Sequence, residues 1–245
     1  PQNLNAKGAI PVYRSKDQYN GIEMTWSTWI YIDDPTYTQT GLGATEVTIM
    51  PVFVKGSNSK SNQMDVLSTD NTQTFTGSNG PGVYLLPNRA LNSDSYKIDS
   101  YYNSVTMNMD IHIDIYPYKD INSNTIIYKQ KITIENIPIR KWVSVIIRCS
   151  TQNIVDVFIN GSLQKRVKLY NIIRQNYSDV YVNPEGGFSG FLSNLKYYDY
   201  SIGTFEINQI VSAGPNLNME DKSNIKSSNP YYLSTKWLFG ETNVS

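Results

Sequence analysis

Cysteine and histidine are almost absent from this chain. A single cysteine, Cys149, excludes an internal disulfide framework and any multi-thiolate zinc site. A single histidine, His112, excludes the common two- and three-histidine metal sites. An excess of one charge is missing too: 21 basic side chains meet 21 acidic ones. Phosphate neutralisation needs clustered positive charge, so no nucleic-acid partner is expected. No apolar run approaches the roughly 20 residues of a membrane span. Alanine, the best helix former, occurs only 5 times, whereas Ile and Asn occur 26 times each and Tyr 19 times. Ile and Tyr favour strands and Asn favours turns, so the composition points to an all-β protein. With 245 residues, 12% aromatics and zero net charge, the chain is long and apolar enough to fold.

What is present is period-2 alternation. Ile22, Met24, Trp26, Thr28, Ile30 and Ile32 alternate with Trp29 and Tyr31 on the opposite face, which predicts a long strand covered on both sides. Further strands are predicted at Val47 to Val54, Val83 to Leu86, Val105 to Tyr116, Thr125 to Glu135, Trp142 to Cys149, Ile154 to Ile159, Leu163 to Leu169 and Gly190 to Tyr200. Pro51 lacks an N–H, so its strand should be an edge or carry a bulge. The Ser/Asn/Gly-rich stretch from Gly56 to Gly82 reads as long exposed loops. Asn160-Gly161 lies between two apolar alternations, the signature of a two-residue type I′ hairpin. One short helix is expected, Thr204 to Ala213, with Gly214 as its stop.

No linker or internal repeat divides the chain before Gly214. The expected organisation is one β-sandwich over 1–214 and an irregular tail over 215–245. The tail is polar until Asn229 and then aromatic. Tyr231, Tyr232, Leu233, Trp237 and Leu238 are expected to anchor it on the sandwich or on a partner, since burying one such side chain is worth about 1.5–3 kcal/mol. The first residue is Pro1 rather than Met, and a fragment or processed product, with an anchor or signal upstream, is the expectation.

Four motifs in order then resemble a known superfamily. Met24-Thr25-Trp26-Ser27-Thr28-Trp29-Ile30 resembles an early strand of laminin-G-like and pentraxin-like domains, and Trp142-Val143-Ser144-Val145-Ile146 resembles another. Asp156-Val157-Phe158-Ile159-Asn160-Gly161 is similar to their Asn-Gly hairpin. Gly190-Phe191-Leu192-Ser193-Asn194-Leu195-Lys196-Tyr197-Tyr198-Asp199-Tyr200 with Phe205-Glu206-Ile207 is similar to their ending. The resemblance implies a two-sheet antiparallel jelly roll of the concanavalin A-like class. Gly214-Pro215-Asn216, with the later aromatics, resembles a subgroup of lectin-like proteins of large DNA viruses. That implies a virion-associated or membrane-exposed localisation, with virion or surface proteins, or glycans, as partners.

Three constellations could carry chemistry. The superfamily includes retaining glucanases, which present two carboxylates as E-x-D-x-x-E. None of the seven glutamates here has an aspartate two residues later, so no enzyme activity is expected. The nearest substitute is Asp110-Ile111-His112-Ile113-Asp114, whose alternation puts Asp110, His112 and Asp114 on one strand face. Such a face is read as the wet side of a sheet, with contacts to a glycan or partner, a Ca²⁺ contact or proton transfer as the functional alternatives. Neighbouring carboxylates would raise the pKa of His112. Calcium is the one cofactor left open: relatives hold it at loop rims, and Asp33-Asp34 closes a strand, but no dense acidic loop follows.

Aromatic side chains are the usual sugar platforms. Tyr101, Tyr102, Tyr116 and Tyr118 flank the polar strand and are the expected platform, whereas Trp26, Trp29 and Trp142 are expected in the core. Cys149 reads as a buried inert thiol, and Lys165, Arg166 and Lys168 as a charged edge that discourages strand addition. The functional expectation is a non-enzymatic structural or adhesion module, with a calcium-assisted lectin as the alternative and a glycoside hydrolase a distant third.

Overall fold

The computed structural model describes residues 12, 16–18, 21–34, 49–56, 78–87, 106–120 and 126–217. The strands, in chain order, are β1 (Lys16–Gln18), β2 (Gly21–Asp34), β3 (Met50–Gly56), β4 (Asn79–Pro87), β5 (Thr106–Lys119), β6 (Ile126–Pro138), β7 (Trp142–Ser150), β8 (Ile154–Ile159), β9 (Ser162–Lys168), β10 (Val180–Val182) and β11 (Ser189–Tyr198). A single α-helix among the described residues, α1 (Thr204–Ala213), follows them, and two short 3₁₀ turns, Thr151–Asn153 and Pro184–Gly186, lie between strands. The chain divides into two compact units, Pro1–Pro215 and Asn216–Ser245, and all these elements belong to the first.

The strands make an all-β, two-sheet antiparallel sandwich. One sheet runs β1-β2-β7-β8-β9, with β11 pairing along β2; the other runs β10-β3-β4-β5-β6. Alternation decides what fills the space between them. Trp26, Ile30 and Ile32 of β2 and Val143, Val145 and Ile147 of β7 join Val83 and Leu85 of β4 and Met109, Ile111 and Ile113 of β5 in one core cluster. Trp26 packs 5.4 Å from the ring of Phe53 and 4.8 Å from that of Tyr197. Thr28 sits in the same alternation, and its hydroxyl donates to the Ser193 carbonyl, 3.2 Å away.

The outer face of the first sheet is covered as well. Ile146 and Phe158 on that face pack with Ile202 and with Ile207 of α1. This second cover explains why Thr25, Ser27 and Ile146 on the outer face of β2 and β7 are buried, with the Thr25 hydroxyl accepting the Ile202 N–H at 3.2 Å. The helix itself is started by Glu206, whose carboxylate accepts the Gly203 N–H at 2.8 Å and the Tyr200 hydroxyl at 2.7 Å. No helix among the described residues is long and apolar enough to cross a membrane.

The hairpin between β8 and β9 turns where the sequence places it. Asn160 and Gly161 have φ of 51° and 81°, the positive pair that a type I′ turn requires. Asn160 also accepts the Ser144 N–H with its side-chain oxygen, 2.9 Å away, which ties the turn to β7. A Cβ on Gly161 would lie 3.3 Å from Val211 Cγ2 of α1, in a backbone conformation that L side chains rarely adopt. Gly161→Ala is therefore expected to cost about 1–2 kcal/mol. Urea unfolding checks this, and an unchanged midpoint would contradict it.

Pro51 is accommodated by a register shift between Pro51 and Phe53, the bulge its missing N–H calls for. Two expectations need correction. Asn79 to Gly82 belong to β4 rather than to a loop, because they reach across to Gly56 and Val54 of β3 and, from Gly82, to His112 of β5. Trp142 is only partly buried, whereas Trp26 and Trp29 are buried. Trp142 opens its strand on the outer face, beyond the cover that α1 provides.

Candidate functional site

Strand β5 carries the polar triplet and the two tyrosines as one continuous stretch. Asp110, His112 and Asp114 lie opposite Ile111, Ile113 and Ile115, as alternation demands. Their face is not wet: all three are under 9% exposed. The physical reason is a set of partners that polarity alone does not reveal. Asp110 accepts the Thr133 hydroxyl at 2.5 Å and stands 3.7 Å from Lys131 Nζ. Asp114 accepts the backbone N–H of Asn79 at 2.7 Å and lies 4.0 Å from Lys129 Nζ. The Tyr84 ring packs 4.9 Å from the His112 ring, and its hydroxyl donates to the Asn79 side chain. Buried polar groups in folded proteins are paired in this way.

His112 departs from the expectation in direction. Burial pushes its pKa down to about 3, and the positive charges of Lys129 and then Lys131 push the same way. Asp110 and Asp114, expected to raise it, do not. Its Nδ1 is buried without a hydrogen-bond partner. Neutral at ordinary pH and held by no carboxylate, this imidazole is not arranged as an oriented general base. Cys149 is buried, and burial followed by the charge of Asp156 pushes its thiol up to about 12, so it is not a nucleophile at neutral pH. Among the described residues no three His, Cys, Asp or Glu side chains gather in a way that could hold a metal.

The tyrosines are arranged differently. Beyond the N-terminal start of β4, residues 169–174 take its place beside β5. Tyr116 N–H donates to the Ile172 carbonyl at 2.9 Å, Arg174 N–H to that of Asp114 at 2.9 Å, and Ile115 bridges Ile173. Asn171 fixes the crossing by donating its side-chain amide to the Pro117 carbonyl at 3.0 Å. Tyr170 is thereby stacked on Tyr118, with centroids 5.2 Å apart and planes 15° off parallel. On the other side of β5, after a register shift between Asp114 and Tyr118, the start of β6 brings up Ile126 and Tyr128. Tyr116, Tyr128 and Tyr170 remain 51%, 56% and 56% exposed. Exposed Lys119, Lys168 and Arg174 are interleaved with them in the same segments.

The tyrosines gathered at this end of the sheet are Tyr116 and Tyr118, which the sequence singled out, and Tyr128 and Tyr170, which it did not; Tyr118 and Tyr170 stack on each other, and Tyr128 follows Ile127, the register partner of Tyr118, on the other face of β6. The missed signal was the short run Tyr170-Asn171-Ile172-Ile173, which continues strand-like after β9. Tyr101 and Tyr102 lie outside the described residues, as do the expected tail anchors Tyr231, Tyr232, Leu233, Trp237 and Leu238. Lys165, Arg166 and Lys168, expected as a charged edge, lie on β9 at the end of the first sheet, and Arg166 is also bound to Asp156 of the neighbouring strand at 2.6 Å.

No family model matches the chain, and no curated protein matches it. Solved structures that resemble it include the receptor-binding domain of botulinum neurotoxin D, 11% identical with a TM-score of 0.45, over 86% of this chain and 40% of that one. The binding domain of botulinum neurotoxin serotype G is another, 13% identical with a TM-score of 0.44, over 79% of this chain and 36% of that one. The chain therefore spans less than half the length of either. Likeness of this degree assigns neither family nor function.

Proposed function

We propose that the chain is a non-enzymatic structural or adhesion module of an exposed surface, and that Tyr116, Tyr118, Tyr128 and Tyr170 form its contact with a protein or glycan partner. The observation that carries this reading is the concentration of tyrosines at this end of the second sheet: the stacked pair Tyr118–Tyr170, with Tyr116 and Tyr128 on β5 and β6 beside it, three of the four more than half exposed. Tyrosine offers a large, rigid, amphipathic contact at low conformational cost, which is why binding surfaces favour it. Clustered exposed aromatics of this kind mark interaction sites. The non-enzymatic part rests on the state of the two reactive side chains, a buried neutral imidazole and a buried protonated thiol.

The test is binding of the purified chain to immobilised glycans and to intact cell surfaces. Tyr116→Ser with Tyr128→Ser is expected to reduce binding at least about tenfold, since each exposed anchor is worth on the order of 1–2 kcal/mol. The fold should survive, because both side chains are largely in solvent already. Undiminished binding by a folded double variant would remove the platform from the interface.

A further inference from the structure

Residues 168–174, the last residue of β9 and the segment that runs beside β5, alternate in exposure. Leu169 and Ile173 are buried in the core between the sheets, whereas Lys168, Tyr170, Ile172 and Arg174 are exposed. Alternation therefore turns these four side chains outward together, as a ribbon with an aromatic and an aliphatic residue between two cations. Lys119, exposed as well, follows Tyr118, on which Tyr170 is stacked.

The charge at this end is one-sided. Segments 116–120, 126–131 and 168–174 carry five cations against one carboxylate, Asp120, in a chain whose 21 basic and 21 acidic side chains balance. Lys129 and Lys131 lie beside the buried Asp114 and Asp110, at 4.0 and 3.7 Å. The side chains of Lys119, Lys168 and Arg174 make no ion pair among the described residues. Like charges gathered on one surface without counter-charges of their own select a partner of the opposite sign.

The backbone narrows what that anion is. An acidic peptide would dock here by adding a strand to β6, the outermost strand of its sheet. That edge is bridged: Lys165 Nζ of β9 donates to the Thr133 carbonyl at 2.9 Å, and the Tyr170 N–H donates to the Gln130 side chain at 3.0 Å. What stays open is the row of side chains. It suits a ligand that brings apolar C–H faces to Tyr170 and Ile172 and acid groups to the cations at either end. Acidic sugar rings carry both.

We infer that the partner met at this end is an acidic oligosaccharide, with carboxylate or sulfate on more than one ring, lying along Lys168, Tyr170, Ile172 and Arg174 with Lys119 beside them. The inference rests on the tyrosine contact proposed above and names the chemistry of its partner.

The experiment titrates the whole chain with three hexasaccharides: oligogalacturonate, a heparin-derived sulfated chain and neutral maltohexaose. Phosphatidylserine vesicles and a polyglutamate peptide serve as rival anions. Wild type is expected to bind at least one acidic hexasaccharide about tenfold tighter than maltohexaose, and more weakly as salt is raised. Lys168→Gln with Arg174→Gln is expected to weaken that binding about tenfold, and Lys168→Arg with Arg174→Lys to retain it. Arg140→Gln with Lys141→Gln removes the same charge from exposed positions beyond the other end of the β5–β6 pair and should leave it unchanged. Tyr116→Ser with Tyr128→Ser should weaken it, as the tyrosine contact requires. The inference is overturned if no acidic hexasaccharide binds, if maltohexaose binds equally well, or if the vesicles or the peptide bind better. Equal affinities in the two charge-removal variants overturn it too, and each of these results leaves the tyrosine contact to its own test. A loss in the Lys168 and Arg174 variant with none in the Tyr116 and Tyr128 variant upholds the ribbon and removes those two tyrosines from the contact.

Discussion

Replacing Asp156 with alanine is expected to destabilise the protein by about 3–5 kcal/mol, the cost of leaving buried charge without its partner. Asp156 sits in the middle of β8, fully buried on the outer face of the first sheet. Its register partners on either side are Arg148 of β7 and Arg166 of β9, so three charges share one rung. Arg148 Nη2 lies 2.7 Å from one carboxylate oxygen, while Arg166 grips both, at 2.6 Å through Nε and 3.0 Å through Nη2. Burial by itself would push this carboxyl up. The hydrogen bonds from Arg166 and Arg148 and their charges outweigh it and hold the pKa below the usual carboxylate range. Its stabilisation is therefore present above the unfolded pKa of about 3.9 and is lost as pH falls below that.

The two arginines do not contribute alike. Arg148 is largely buried, donates to the Ile202 carbonyl at 3.1 Å and lies 5.0 Å over the Phe158 ring, so it also fastens the approach to α1. The Arg166 side chain is 58% exposed and can be rehydrated. In urea unfolding, Asp156→Ala and Arg148→Ala should both cost more than Arg166→Ala. An Asp156→Ala loss no larger than that of Arg166→Ala would mean that the triplet is a surface ion pair of little consequence.

The same rung shows what sequence could and could not reveal. The strands were legible because a sandwich imposes period 2, and runs such as Val155-Asp156-Val157-Phe158-Ile159 keep it with few exceptions. The hairpin was legible because Asn160-Gly161 meets a local φ requirement that needs no tertiary knowledge. Polarity was a poor guide to water. Asp110, His112, Asp114 and Asp156 all alternate with apolar neighbours as a wet face would, yet each is buried among partners from other strands. Those partners are set by lateral register, which joins residues as distant as Tyr31, Trp142 and Phe191 and leaves no trace in any short window. The tyrosine platform was half legible for the same reason. Tyr116 and Tyr118 belong to one strand, but Tyr170 reaches them only because residues 169–174 replace β4 along β5.

Acidification from pH 6.5 is expected to weaken the fold well before the carboxylates begin to protonate, and His112 is the cause. In the unfolded chain an imidazole binds its proton near pH 6.5, whereas in the native protein His112 binds it only near about 3. Between those values the unfolded state holds more protons, so stability rises with pH and is lost as pH falls. One group can contribute at most about 1.4 kcal/mol per pH unit, so going from pH 6.5 to 4.5 should remove on the order of 2 kcal/mol. The charged groups on its face do not cancel this. Asp110 and Asp114 are already engaged by Thr133, Asn79 and the lysines, and Lys129 and Lys131 oppose a further positive charge. His112 is the sole histidine of the sequence, so the effect can be isolated. Unfolding free energies measured at half-unit intervals should slope downward toward acid in the wild type. The slope above pH 4.5 should be nearly flat in His112→Gln, which keeps a polar side chain without the titration. An equal slope in both proteins would place the acid sensitivity elsewhere and remove His112 as its source. A flat profile in both would mean that the buried imidazole is protonated as readily in the fold as outside it.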